Sequence, residues 1–459
     1  MRDVIVVGAG PGGYHAAIRA AQLGQSVLAV EDDAVGGVCL NVGCIPTKAL
    51  LHAAGELHRA AQAADFGLAF ARPEMDLDKL GRWRDGIKNK LTGGVAGLLK
   101  SNGVEVRRGR AHLAGGTAVS VNGEALEARS IILAAGSEPV ALPGFAFDGD
   151  RVIDSTDALN LERGIPERLL VLGGGAVGLE FASIYNRFGA HVTLVEAMDQ
   201  ILPGADGEVV AALARSLRSQ GIDIRTGTRA VDMDRDGDAL TVRLRTHSGV
   251  EERLQADRVL VAVGRRPRSD DLGLERAGVA TDKRGFIRVD DHMRTGAAGI
   301  YAVGDCARPP LLAHKAMKEG LVAAANAAGR DAVFDYQVAG VVYTEPEWAA
   351  VGLTEAQARE RGINVRTGVF PLAASGRAMT LGAAEGMVKL VGDADNDLLL
   401  GAHIVGLGAS DLVNEAALAL EMAATLTDVA ATVHAHPTLA EGIMEAAEHF
   451  HRRAIHIRN

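Results

Sequence analysis

Residues 4–31, VIVVGAGPGGYHAAIRAAQLGQSVLAVE, decide the fold, because the chain repeats their pattern at 169–196 as LLVLGGGAVGLEFASIYNRFGAHVTLVE. A shift of 165 residues lays Gly8, Gly10 and Gly13 on Gly173, Gly175 and Gly178, Gly24 on Gly189, and Glu31 on Glu196. Each copy reads as an apolar strand, a glycine-rich turn, an amphipathic helix, a second strand and an acid 23 residues after the first glycine. A lone GxGxxG is weak evidence, but in this strand–turn–helix setting it predicts a dinucleotide site. The glycines permit the turn and let backbone N–H groups at the helix start approach a pyrophosphate, while Glu31 and Glu196 are placed to accept hydrogen bonds from ribose hydroxyls. After Glu196 comes AMDQ, with no Arg or Lys to neutralise a 2′-phosphate, so NAD rather than NADP is expected at the second site.

Further runs extend this α/β pattern. SIILAAGSEP (130–139) and RVLVAVGRRP (258–267) read as buried strands leading to Gly136 and Gly264, of the kind that closes a doubly wound layer. GIYAVGDCA (299–307) is another apolar strand, delivering Gly304 and Asp305; the acid reads equally as a ligand contact at a strand's carboxyl end or as a helix N-cap. Neighbouring Cys306 has no nearby cysteine partner and reads as a small buried hydrophobe.

A chain of 459 residues predicts about three domains. Its net charge of −10 argues against nucleic-acid and anionic-membrane partners, which need a basic surface. No apolar run approaches the roughly 18 residues of a membrane span. The run VIVV begins at Val4 and leaves no room for a leader segment, so a soluble cytoplasmic protein is expected. The basic tail HRRAIHIRN (451–459) reads as a solvated end.

GGVCLNVGCIPTK (36–48) contains two of the three cysteines, Cys39 and Cys44. A zinc site needs a second cysteine pair, and His52 and His58 stand at the wrong spacing, so no metal is expected. In one regular helix the two cysteines would lie about 7.5 Å apart along the axis, beyond the roughly 6.8 Å Cα separation a disulfide tolerates. Bonding therefore requires a break around Gly43, and Pro46 fits the first turn of a helix starting there. Cys44 would sit at that helix's N-terminus with Lys48 one turn on, both favouring a thiolate. A thiolate-prone cysteine, a nearby cation and a close partner describe a redox pair.

These residues, beside two dinucleotide motifs, resemble the flavoprotein disulfide reductases, which carry FAD on the first site and a nicotinamide on the second. TGAAGIYAVGDC (295–306) resembles the family's second FAD motif, which would assign Asp305 to the flavin's ribityl-phosphate region, and LAHKAMKEG (312–320) and YTEPEWAAVG (343–352) match further family segments. HAHPTLAE (434–441) is similar to the signature of the dihydrolipoamide dehydrogenase branch, in which the second histidine, here His436, is the base and Glu441 orients it. The chemistry suits it, since a dithiol must lose a proton before attacking a disulfide. No cysteine lies beyond Cys306, unlike the branches with a C-terminal redox pair, and Glu196 argues against NADPH-linked glutathione reductases.

The resemblance implies that Cys39 exchanges with dihydrolipoyl sulfurs, that Cys44 faces the flavin, and that Lys48 lies near flavin N5 and pairs with Glu180. It also implies a homodimer in which His436 of one chain faces the disulfide of the other. The expected fold is α/β, with two Rossmann-like dinucleotide-binding domains plus an α+β C-terminal interface domain. The expected regions are FAD-binding (1–144), NAD-binding (145–268), a central segment on the FAD domain (269–338) and the interface domain (339–459), with PVALPGFAFDGD (139–150) as the first linker. A different disulfide reductase, or a mainly structural subunit of a dehydrogenase complex, remain the alternatives.

Overall fold

A computed structural model describes residues 1–71, 73–236 and 239–459. The first repeat forms the strands Arg2–Val7 and Val27–Glu31 around helix α1 (Pro11–Gln22). These strands pair in parallel with Val4 opposite Val27, and in the second repeat Leu169 pairs with Val192, the same register after the shift. The repeat is therefore structural as well as sequential.

The first sheet runs Glu105–Arg108, Val27–Glu31, Arg2–Val7 and Glu124–Leu133, and is extended by the antiparallel strands Ala118–Val121 and Ala111–Gly115. After the second repeat the chain returns to it, Ile300–Ala302 pairing in parallel with Ile131–Leu133. Val4 and Val6 pack on one face of this sheet and Ile5 and Val7 on the other. With both faces covered, the strand carries an unbroken apolar run rather than an alternation.

Next come the short helix α2 (Gly37–Val42), α3 (Cys44–Gln62) and the long α4 (Leu77–Ser101). The second, five-stranded parallel sheet has α5 (Ala176–Arg187) and α6 (Gly207–Ser219) against one face, and a three-stranded antiparallel sheet packed on the other. Strands Ser137–Pro139 and Arg265–Pro267 pair where the chain passes between the two Rossmann layers. The segment 139–150 is more than a tether, because Phe145 is fully buried among Val152, Leu170 and Val259.

Helix α7 (Ala313–Ala327) packs on α1 so closely that a Cβ on Gly320 would lie 2.3 Å from the Gly12 carbonyl oxygen. The last region is a five-stranded antiparallel sheet with helix Glu441–Phe450 laid across Gly368. The fold is thus α/β, two Rossmann-like layers followed by an α+β unit. The basic tail is mostly exposed, as expected of a solvated end; within it only Ala454 is buried, and His456 Nδ1 lies 2.6 Å from the buried Glu445. Among the described residues, no helix is long and apolar enough to cross a membrane, and no cluster of His, Cys, Asp and Glu could hold a metal ion.

Candidate active site

The two glycine motifs are built alike. A Cβ on Gly13 would fall 1.9 Å from the Gly8 carbonyl oxygen, and one on Gly178 2.0 Å from that of Gly173, so only glycine lets each helix start this close to its strand. Gly8 and Gly173 also adopt positive φ angles of 98° and 113°. A Cβ on Gly10 would meet nothing closer than 3.8 Å and one on Gly175 nothing within 4 Å, so the space beside both glycines is open to a ligand's approach.

The acids match too. Glu31 accepts from the Ala9 N–H at 2.7 Å and the Asp33 N–H at 3.0 Å; Glu196 accepts from Gly174 at 2.7 Å and Met198 at 2.8 Å. One carboxylate oxygen fixes the glycine turn and the other the loop beyond the strand. Each oxygen retains a lone pair for a ribose hydroxyl. Burial pushes the Glu31 carboxyl above its usual range against the pull of those two N–H groups.

The first motif opens onto a cleft of about 610 Å³. Gly8, Gly10, Glu31 and Asp305 line one part of it; Cys39, Cys44 and Lys48 line another; Val177, Glu180 and Phe181 of α5 close it from the second Rossmann layer. A cavity of this size, with open glycine backbone at one end and a redox disulfide at the other, fits a dinucleotide whose reactive ring reaches the cysteines. Gly136 and Gly264, at φ 76° and 138°, turn the chain beyond the strands Glu124–Leu133 and Arg258–Val261.

Cys39 and Cys44 are joined in a disulfide with Cα atoms 4.6 Å apart. The approach is possible because α2 stops at Val42 and α3 starts at Cys44, with Gly43 at φ −142° and ψ −114° between them. Thr47 Oγ1 donates to the Gly43 carbonyl at 2.7 Å and holds the break. Lys48 Nζ lies 2.9 Å from both carboxylate oxygens of Glu180. The first repeat has His15 at the matching position, turned back to the Pro11 carbonyl at 2.9 Å; burial lowers its titration.

Asp305 sits within a short 3₁₀ turn, Gly304–Cys306, and accepts from Ser137 Oγ at 2.6 Å. Arg265 Nε in turn donates to Ser137 Oγ at 2.7 Å, so a guanidinium beyond the second sheet reaches the cleft of the first glycine motif. Burial pushes that guanidinium down despite Asp305, yet arginine remains charged. Glu319, fully buried, accepts from the Gly304 N–H at 2.7 Å and pairs with Lys315 at 3.0 Å, fixing the turn that presents Asp305. Sequence reading assigned no role to Arg265, Ser137 or Glu319, although each lies in a run that it singled out: RVLVAVGRRP, SIILAAGSEP and LAHKAMKEG. Cys306 is buried as expected, and burial pushes its thiol up to about 11.

The profile of the pyridine nucleotide-disulphide oxidoreductases matches residues 2–320, and that of their dimerisation domain matches 338–447. The chain belongs to this oxidoreductase family. It is 61% identical over its whole length to a dihydrolipoyl dehydrogenase of Thermus scotoductus, covering 99% of that protein. It is 44% identical to a dihydrolipoyl dehydrogenase of Bacillus subtilis, with 99% of this chain and 97% of the relative covered. Among solved structures, LpdA from Mycobacterium tuberculosis superposes with a TM-score of 0.89 at 28% identity, covering 97% of this chain and 99% of its own. The HOCl-induced flavoprotein disulfide reductase RclA of Escherichia coli gives a TM-score of 0.85 at 26% identity, covering 98% and 99%.

This oxidoreductase keeps its histidine pair away from the cleft of its own chain. His436 Nδ1 lies 2.9 Å from Glu441 Oε1, and the ring is 81% exposed on the dimerisation domain. Burial pushes the Glu441 carboxyl up, but the Thr438 N–H and His436 together bring it below its usual range. His434 is 5% exposed, with Nε2 2.8 Å from Glu415 and Nδ1 2.9 Å from the Thr432 carbonyl. Both its nitrogens are occupied, whereas His436 Nε2 has no partner among the described residues.

Proposed function

We propose that this chain oxidises dihydrolipoyl groups at the expense of NAD, through the Cys39–Cys44 disulfide and FAD. The observation that carries the reading is the disulfide in a cleft shared by both dinucleotide layers. The relatives' names and the free Nε2 of His436 supply the dithiol as substrate. On this reading Gly8, Gly10, Gly13, Glu31, Lys48, Gly136 and Asp305 hold FAD, and Gly173, Gly175, Gly178, Glu196 and Gly264 hold NAD. Bound FAD would relay two electrons from the reduced cysteines to NAD.

The protein's own steps follow from its geometry. Glu441 fixes the His436 ring through Nδ1, and Nε2 takes a proton from one substrate thiol. The resulting thiolate attacks Cys39 Sγ, breaking the Cys39–Cys44 bond. Cys44 leaves as a thiolate at the N-terminus of α3, with Lys48 one turn away. The second substrate sulfur then displaces Cys39, closing the substrate disulfide and leaving its proton on Cys39. Two electrons have moved from substrate to protein, and one proton rests on His436.

Because His436 lies outside its own chain's cleft, the active unit is a homodimer in which each chain supplies the base to the other's disulfide. A fully active monomer in sedimentation would overturn this arrangement. The division into regions 1–144, 145–268, 269–338 and 339–459 is part of the proposal; the return of Ile300–Ala302 to the first sheet supports the third. The unpaired Cys306 supports a reducing, cytoplasmic setting. A substrate comparison tests the whole: NAD-linked oxidation of dihydrolipoamide should exceed NADPH-linked reduction of glutathione disulfide by at least about a hundredfold, and the reverse order would sink the reading.

A further inference from the structure

The segment YTEPEWAAVG matched the family in sequence, yet no step above uses its first residues. In the fold they touch the site twice. Glu180 Oε1, already 2.9 Å from Lys48 Nζ, also accepts from the Tyr343 N–H at 3.1 Å. The Lys48 ammonium stands 4.6 Å from the centroid of the Tyr343 ring, within cation–π range. Two residues on, Glu345 Oε2 lies 2.7 Å from Arg187 Nη1 and Oε1 lies 3.3 Å from Arg59 Nη1. Arg59 shares α3 with Lys48, and Arg187 shares α5 with Glu180. Arg187 is 5% exposed, and Gln220 Nε2 donates to the Glu345 carbonyl at 2.7 Å, so this end of the turn is firmly seated.

We propose that the turn 343–345 is a positioning element for Lys48: Tyr343 fixes the Lys48–Glu180 pair through its N–H and ring, while Glu345 ties the turn to both helices that carry the pair. This rests on the reading of Lys48 as the cation beside the reacting ring. The need for such an element is physical. Lys48 is a long, flexible side chain, 32% exposed at the edge of the cleft, and an ion pair with that much solvent access does not by itself hold one rotamer. A ring face beneath the ammonium and a backbone donor on its partner restrict both ends. The Tyr343 hydroxyl makes no hydrogen bond among the described residues, so the ring face is the active part of the side chain.

The test is competitive acylation of the FAD-loaded protein with acetic anhydride, reading Lys48 against the other lysines by mass spectrometry. Tyr343→Leu keeps the backbone donor and most of the bulk but removes the ring. It should raise Lys48 labelling about two- to tenfold, with FAD content and melting temperature unchanged. Tyr343→Phe, which keeps the ring, should hold labelling at the wild-type rate, and Glu345→Gln should raise it by less than Tyr343→Leu. Unchanged labelling in both Tyr343→Leu and Glu345→Gln would overturn the proposal. The rate of flavin reduction by dihydrolipoamide in Tyr343→Leu judges the other reading separately. Raised labelling with a slowed rate supports both, whereas raised labelling at an unchanged rate keeps the positioning element and removes Lys48 from the chemistry.

Discussion

Replacing Lys389 by Met probes how the second Rossmann layer is fastened to the C-terminal sheet. Lys389 Nζ lies 2.9 Å from Glu355 and 3.1 Å from Asp206 and Glu208, and its side chain is 4% exposed. Removing one partner of a fully enclosed ion pair costs about 3–5 kcal/mol. Here only Asp206 is enclosed, at 4% exposure; Glu208 and Glu355, at 53% and 28%, regain water when the lysine goes. Asp206 also keeps its capping bond from the Val209 N–H at 3.4 Å. The expected loss is therefore about 2–3 kcal/mol, or about 4–12 °C in Tm at the rate usual for a unit of roughly 200 residues. Burial pushes the ammonium down, but Glu355, Glu208 and Asp206 outweigh it and raise its titration above the lysine range. That contribution is complete below about pH 10.4 and is lost only in stronger alkali. Glu355, held by Lys389 and Arg359, titrates below its usual range, so its share is present above about pH 4.3 and is lost as the pH falls further. The Tm difference between the wild type and Lys389→Met should be level from about pH 6 to 9 and narrow only below about pH 4.3. A difference under about 1 °C at neutral pH, or one undiminished in acid, would refute this reasoning.

Other perturbations reach the chemistry directly. Cys39→Ser should retain FAD yet lower dihydrolipoamide oxidation by at least about a thousandfold, because no disulfide remains to accept the dithiol's electrons; retained turnover would contradict the exchange role. Gly13→Ala forces a Cβ against the Gly8 carbonyl oxygen, and equilibrium dialysis should show FAD affinity reduced by at least about tenfold. Glu441→Gln removes the charge behind His436, and kcat/KM for dihydrolipoamide should fall about 10- to 100-fold with FAD content unchanged; an unaffected kcat/KM would mean that the histidine needs no carboxylate.

What sequence revealed and what it hid divide along a physical line. The repeat was legible because a Rossmann turn leaves almost no choice at Gly8, Gly13 and their counterparts, and the shift carries through to strand register and to the backbone bonds of Glu31 and Glu196. The break between Cys39 and Cys44 was legible from distance alone, and it falls at Gly43. Contacts between regions left no such trace. Arg265 reaching Ser137, Glu345 meeting Arg187 and Lys389 among three carboxylates join residues more than 30 positions apart, with no local spacing to announce them. Asp305 stayed ambiguous for the same reason, since its partner Ser137 comes from a distant strand. The exposed place of His436 left no trace in local spacing either, and was anticipated only through the family resemblance.

The central claim is that Cys39, Cys44, FAD and NAD form one electron path, and an anaerobic titration of the FAD-loaded protein tests it most directly. Dihydrolipoamide is added while absorbance is followed across the flavin band and its long-wavelength edge, and NAD is added afterwards. The account predicts a long-wavelength band as the dithiol reduces the disulfide, then its disappearance as NADH forms in step. No long-wavelength band on adding dihydrolipoamide, and no NADH on adding NAD, would contradict it and remove the dithiol assigned to His436 and Glu441.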